Sequence, residues 1–296
     1  MKLTFNWLRD LVANSGPPEQ LAELLTMAGL EVESLASLRD SETERQDWVF
    51  EIAVTPNRGD CLSIAGIARE VAALTGDALQ ALPMSVPDKD PAIKKRINVK
   101  IEDAQLCARY SARIVDEVRI APSPPWLRGR LEACGIRAVN NVVDATNYVM
   151  LETGQPLHAF DLDCLSAKQI VVRAAAQTQR LTTLDGIDRQ LCADDLLICD
   201  ADHPVALAGI MGGSDSEVRD VTRSVLIESA NFSASAIRRT AKRFALHSEA
   251  SHRFERGVDP EGTIEALNRA VYLLSEVAGG QAVSGVVDVV ARKVKS

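Results

Sequence analysis

Aromatic residues make up only 4% of this 296-residue chain, so any core must be built mainly from Ala, Val, Leu and Ile. No apolar run approaches the roughly 18 residues of a membrane-spanning helix. The opening MKLTFNWLRDLV carries charges at Lys2, Arg9 and Asp10, which argues against a secretory signal. The six cysteines, at 61, 107, 134, 164, 192 and 199, form no CxxC pair, which argues against a zinc ribbon or a redox motif. Without a secretory signal they read as reduced core residues, and the expected compartment is the cytoplasm. Cations are not in excess either: a net charge of -8 argues against a protein that coats nucleic acid non-specifically.

Motifs for metal and nucleophile chemistry are also missing. There are four histidines. Two of them, His247 and His252, stand five apart, about 140° around a helix, whereas helical zinc sites use i, i+4. His158 and His203 have no partner at ligand spacing, so no metal is expected. There is no GxSxG elbow. The glycine-rich turn with Gly209, Gly212 and Gly213 lacks the GK[ST] of a phosphate loop; it is either a tight turn or a place where a ligand approaches the backbone.

What is present is a 46% hydrophobic chain long enough for roughly two domains. Pro17 and Pro18 open a helix with Leu21, Leu24, Leu25 and Ala28 at helical spacing, stopped by Gly29. A polar stretch, 39–47, precedes the strand WVFEIAV and the turn TPNRGD. Ile64, Ile67, Ala68 and Val71 mark a helix ending near Gly76. These make a small α/β domain over residues 1–80. Pro83, Pro87 and Pro91 suggest a linker over 81–95, and residues 96–296 read as a larger mixed-sheet domain, so the fold class is α+β. There INVKI and YSARIVDEV alternate as strands, and Ser123 with Pro124 is expected to cap a helix closed by Gly135. NVVDATNYVMLE predicts a helix with Val143, Thr146, Asn147 and Met150 on one face. Asp185-Gly186 predicts a hairpin. Helices are expected from Ser233 through Leu246 and from Asp259-Pro260 to Gly279-Gly280.

The polar stretches leave open what they do. HSEASHRFERGVDP packs two histidines, two glutamates, two arginines and an aspartate into positions 247–260. Arg238, Arg239, Lys242 and Arg243 form a solvated helix face that would also suit a phosphate backbone. Arg58-Gly59-Asp60 is a cell-adhesion tripeptide that three residues match by chance. His158, in GQPLHAFD, is held by a loop with Gly154, Pro156, Leu157 and Phe160. Glu228 is expected to follow the strand SVLI and to head a small-residue segment, where a carboxylate costs several kcal/mol unless paired; it is a functional candidate or half of an ion pair.

Taken together, TPNRGDCLSIAGIAREVA, NNVVDATNYVMLETGQPLHAFD, ALAGIMGG and HSEASHRFERGVDP resemble, in order and spacing, the phenylalanyl-tRNA synthetase β-subunit family. The resemblance spans nearly the whole chain. It implies an α+β editing domain that hydrolyses tyrosine wrongly joined to tRNA(Phe). Phenylalanine activation with ATP and Mg2+ would belong to the α subunit of an α2β2 complex, with no cofactor in this chain. Glu228 falls at the family position that recognises the tyrosine hydroxyl, and His158 at the histidine that helps place substrate or water. Arg137, Thr146 and Asn147 match further pocket residues, Gly212 the close-approach glycine, and Ser248 and Ala250 the small residues that shape the pocket. Arg253, Glu255 and Arg256 would hold the loop around them.

Three departures accompany the resemblance. Only SLRDSETERQDW stands where bacterial members usually carry a tRNA-binding insert. Position 248 is Ser where some relatives have Thr. The sequence stops at VVARKVKS, so the family's later domains lie outside it. An editing hydrolase using an oriented water and the tRNA's terminal hydroxyl is the leading expectation. A non-catalytic, RNA-docking portion of the β subunit is the alternative, and a small-molecule hydrolase on the same fold is a third.

Overall fold

The computed structural model describes residues 1–13, 16–39, 46–85, 87, 92–176 and 179–294. The chain begins with β1 (Lys2–Thr4), α1 (Phe5–Arg9), α2 (Pro18–Met27), β2 (Val32–Arg39), β3 (Gln46–Ile52) and α3 (Ile64–Thr75). It continues with β4 (Asn98–Ile101), β5 (Cys107–Asp116), α4 (Pro125–Ala133), α5 (Asn141–Thr153), β6 (Leu157–Asp161) and β7 (Gln169–Ala174). Short strands follow: β8 (Arg180–Thr182), β9 (Asp188–Gln190), β10 (Leu196–Cys199), β11 (Pro204–Leu207) and β12 (Met211–Gly212). The last elements are β13 (Val225–Phe232), α6 (Ala234–Phe244), α7 (Glu249–Phe254), α8 (Thr263–Ala278), β14 (Gln281–Ala282) and β15 (Val287–Val290). The fold is α+β, with mixed sheets, as the sequence implies.

Four sheets organise the described strands, the smallest being the antiparallel pair β8–β9. The first is β1-β3-β2, all antiparallel. The second runs β12-β11-β10-β7-β4, antiparallel except for the parallel β4–β7 pair. The third runs β14-β5-β13-β6, with β15 also paired to β5. Strand β13 lies in its middle and is buried along its whole length.

Alternation along β13 divides two cores. Val225 and Ile227 join a core made with α5, α8 and the N-terminal elements, whereas Leu226, Ala230 and Phe232 join a second core against β7, β10, β11 and α6. The third sheet is therefore covered on both faces, which explains why β13 reads in sequence as an apolar run rather than as an alternating strand. Glu228 falls within this strand, not after it.

Other expectations shift for local reasons. Ser123 does not cap α4: Pro124 is the cap residue, and the Ser123 hydroxyl instead donates to Asp144 Oδ2 at 2.5 Å. HSEASHRFERGVDP is not a loop: Glu249–Phe254 is helical, closed at its start by a reciprocal Ser248–Ser251 capping box. The final long helix starts at Thr263, three residues beyond Pro260. The strand around VALAGI ends at Leu207, after which Gly209, at φ +68°, turns the chain back into β12. Cys192 is exposed and Cys134 and Cys164 are half-buried, so three of the six thiols, Cys61, Cys107 and Cys199, lie in the core. Residues 40–45 of the polar stretch, and 86 and 88–91 of the expected linker, lie outside the described residues; Ile93 in that linker is buried in the second core.

Buried ion pairs tie the layers together. Glu152 on α5, 1% exposed, accepts from Arg269 on α8 at 2.6 and 3.0 Å and from Trp7 Nε1 at 3.4 Å. Removing one partner of such a pair strands the other charge in low dielectric. Glu152→Ala should cost about 3–5 kcal/mol in denaturant unfolding; a loss of about 0.5 kcal/mol or less, the range of a surface change, would contradict this account of the α5–α8 contact.

Candidate active site

The site begins with strand register. On the β13–β6 pair Glu228 lies directly opposite His158, and on the other side of β13 it lies opposite Ala112. Both side chains point from the third sheet toward the second core. Glu228 is 5% exposed, and its Oε2 accepts from the Tyr110 hydroxyl at 3.0 Å. Burial pushes its carboxyl up to about 8, against the opposing pull of that hydrogen bond. The His158 ring packs edge-on to Phe160, centroids 4.5 Å apart. It is half-buried, with one part of its surface on the cavity, and the enclosing protein pushes it down to about 4. In the neutral range the carboxyl is largely protonated and the imidazole is neutral, so no ion pair forms between them.

These residues line a cavity of about 540 Å³. Its walls are mostly apolar, with Met150, Leu207, Ile210 and Phe254 among them. The α5 helix contributes the four positions expected on one face, Val143, Thr146, Asn147 and Met150. The Thr146 hydroxyl donates to Val143 O at 2.7 Å, so its proton is committed to its own helix. The Asn147 amide is half-buried on the cavity and makes no side-chain hydrogen bond among the described residues.

The opposite wall comes from the glycine turn and from α7. A Cβ on Gly212 would lie 2.6 Å from His158 Cε1 and 2.8 Å from its Nε2, so the strand can run this close to the imidazole only without a side chain. Ser248 and Ala250 line the cavity. Ser248 accepts from Ser251 N at 3.1 Å and donates to Ile210 O at 2.9 Å, which fixes α7 against the glycine turn and leaves its hydroxyl no proton to give as a nucleophile. Arg253 is 2% exposed; it donates to Leu62 O at 3.0 Å and to Glu249 Oε2 at 2.6 Å, anchoring the pocket wall to the N-terminal segment. Arg256 pairs with Glu255 at 2.7 Å.

The structure thus brings together Thr146, Asn147, His158, Gly212, Glu228, Ser248 and Ala250. It does not bring Arg137 to them: Arg137 is exposed in the turn before α5 and is absent from the cavity lining. Its neighbour Val139 does line the mouth, held by a 2.8 Å bond from its N–H to Asp144. Sequence reasoning missed Tyr110, whose link to Glu228 exists only through the β5–β13 register.

Among the described residues one trio has metal-ligand geometry, Asp60, Cys61 and Glu70. The Arg58 guanidinium already occupies it, bonding Asp60 at 3.0 and 2.8 Å and Glu70 at 2.7 Å. This also accounts for the adhesion-like tripeptide as an internal ion pair.

Gly212→Ala should move the His158 imidazole off Phe160 while the sheets persist. NMR of the His158 ring should show a large shift with an unchanged far-ultraviolet spectrum. An unaltered ring signal would contradict the close approach.

A family model described as the B3/4 domain matches residues 106–279, more than half of the chain. The phenylalanine–tRNA ligase β subunit of Geobacter metallireducens is 53% identical over 247 residues, covering 83% of this chain and 31% of that protein. The corresponding subunit of Anaeromyxobacter dehalogenans is 54% identical over 250 residues, covering 84% and 31%. The chain therefore spans about a third of the length of these curated relatives. An N-terminal fragment of the phenylalanyl-tRNA synthetase β subunit from Pyrococcus horikoshii superposes with a TM-score of 0.46 at 17% identity, covering 97% of this chain and 78% of that one. By its matching family model and these sequence relatives, the chain belongs to the phenylalanine–tRNA ligase β-subunit family, of which it carries the portion containing the B3/4 domain.

Proposed function

We propose that the cavity hydrolyses the ester of tyrosine wrongly joined to tRNA(Phe), as the editing site of a phenylalanine–tRNA ligase β chain. The observation that carries this reading is Glu228: a buried carboxyl with an open oxygen on a mostly apolar pocket, whose volume suits a small ligand. A pocket built for phenylalanine rejects an added hydroxyl by only about a hundredfold. A second pocket can invert that preference, because phenylalanine would leave the carboxyl's acceptor unpaired at a cost of about 1–3 kcal/mol.

The chemistry assigned to the chain is positioning. Neutral His158 accepts a hydrogen bond from a water and aims it at the ester carbonyl. Water oxygen bonds to that carbon, the bond to the ribose oxygen breaks, and the water's proton passes to the departing oxygen by way of the tRNA's terminal hydroxyl. Asn147 supplies an amide to the aminoacyl end. No side chain acts as a nucleophile. In the complete ligase, phenylalanine activation with ATP and Mg2+, and partnership with an α subunit, belong to the same proposal.

A phenol donates more strongly to an ionised carboxylate, so its binding favours deprotonated Glu228. Deacylation of Tyr-tRNA(Phe) and Phe-tRNA(Phe) by the chain should therefore favour the tyrosyl ester, increasingly as pH rises through about 8, once uncatalysed hydrolysis is subtracted. Glu228→Ala should reduce that preference by about tenfold or more and flatten its pH dependence. Equal rates for both esters, or a preference untouched by the variant, would sink the reading.

A second reading, RNA docking without hydrolysis, has its own observation. Arg238, Arg239 and Lys242 on α6 are exposed, and none makes an ion pair among the described residues. Helix α6 packs beside the cavity-lining α7. Replacing the three with Ala should weaken tRNA(Phe) binding and lower its salt slope by roughly one unit per lost phosphate contact; an unchanged slope would remove α6 from the docking surface.

A further inference from the structure

Tyr110 has no exposed surface, and its hydroxyl donates to Glu228 Oε2 at 3.0 Å. The β5–β13 register sets Tyr110 opposite Ala230 and Glu228 opposite Ala112, so the two side chains are diagonal neighbours on one face of the sheet. That separation is within reach of a long aromatic side chain. Glu228 Oε1 has no protein partner among the described residues, yet it is not one of the sealed, orphaned polar atoms: it opens on the cavity.

We propose that Tyr110 is the positioning residue that sets the pocket's preference for a phenol: by occupying Oε2 it fixes the carboxyl's orientation and presents Oε1 alone to one incoming hydroxyl. This rests on reading the cavity as a tyrosyl-ester site. The carboxyl is then bracketed by two phenols of the same chemistry, one built in and one arriving with the substrate. A carboxyl without the built-in donor would turn about its last torsion and could accept from water or from the substrate amine instead.

The charge environment leaves this role to Tyr110. The titratable groups around Glu228 are Tyr110 and Cys107 from β5 and His158 from β6, with Asp185, Glu217 and Glu249 also on the cavity wall. Among the described residues no Lys or Arg lines the cavity. The Tyr110 bond is the one contact that pulls the Glu228 carboxyl down while burial pushes it up to about 8. Losing it moves the titration higher.

The test is Tyr110→Phe in the whole chain, with Glu228→Ala alone and the double variant beside it. The tyrosyl-over-phenylalanyl deacylation ratio should fall roughly tenfold, as loss of one hydrogen bond to a carboxyl predicts. The Glu228 titration, followed by 13C NMR of labelled glutamate, should move above its wild-type midpoint. Tyr110→Phe should add no further loss in the Glu228→Ala background, since it acts through that carboxyl. A wild-type preference that survives Tyr110→Phe with an unmoved midpoint overturns this proposal alone. A wild-type chain without tyrosyl preference overturns the editing reading and this proposal with it. If Tyr110→Phe does not fold, 3-fluorotyrosine placed at 110, a more acidic donor on the same ring, should lower the midpoint and keep the preference; an unmoved midpoint again overturns the proposal.

Discussion

The site depends on one constraint: a carboxyl is carried on a strand buried on both faces. Position 228 sits in the middle of β13, between two packed cores, where an unpaired polar group costs several kcal/mol. The protein meets that cost in part with one donor, Tyr110, and in part by keeping the proton on the carboxyl through the neutral range. Once that proton leaves, the oxygen that Tyr110 does not hold is the cavity's acceptor. His158, opposite it in register, is made neutral by the same enclosure. A single desolvated environment thus sets both groups, raising the acid and lowering the base.

The cavity's second wall depends on contacts far away in sequence. Helix α7 is too short to hold its place by its own hydrogen bonds. Ser248 fastens its start to the glycine turn, and buried Arg253 reaches across to the Leu62 carbonyl beside α3. The N-terminal residues therefore take part in shaping the pocket although none of those described lines it. The same first core, through Glu152 and Arg269, locks α5 onto α8 and so sets the Thr146–Asn147 face that forms another wall.

Much of this was legible in the sequence, and what was not has a physical cause. Helical spacing identified the α5 face, because an amphipathic period of 3.6 survives when one side meets a cavity and the other a core. The motifs pointed to Gly212, His158 and Glu228, and the structure gathers all three. Arg137, expected from motif likeness, lies exposed in the segment before α5 and outside the cavity lining. The placement of Glu228 after a strand failed because β13 is covered on both faces and lacks alternation. Helix α7 escaped notice because six residues of mixed polarity carry no periodic signal, only a cap. Tyr110 was invisible because strand register, a long-range property, is what brings it to Glu228.

The most direct measurement is calorimetric binding of non-hydrolysable adenosine analogues carrying tyrosine or phenylalanine in amide linkage at the 3′ position. Binding separates recognition from turnover, so it tests the pocket itself. Tighter binding of the tyrosyl analogue, lost in Glu228→Ala, is the result this account predicts. Equal affinity for the two, or a preference for the phenylalanyl analogue, would contradict it.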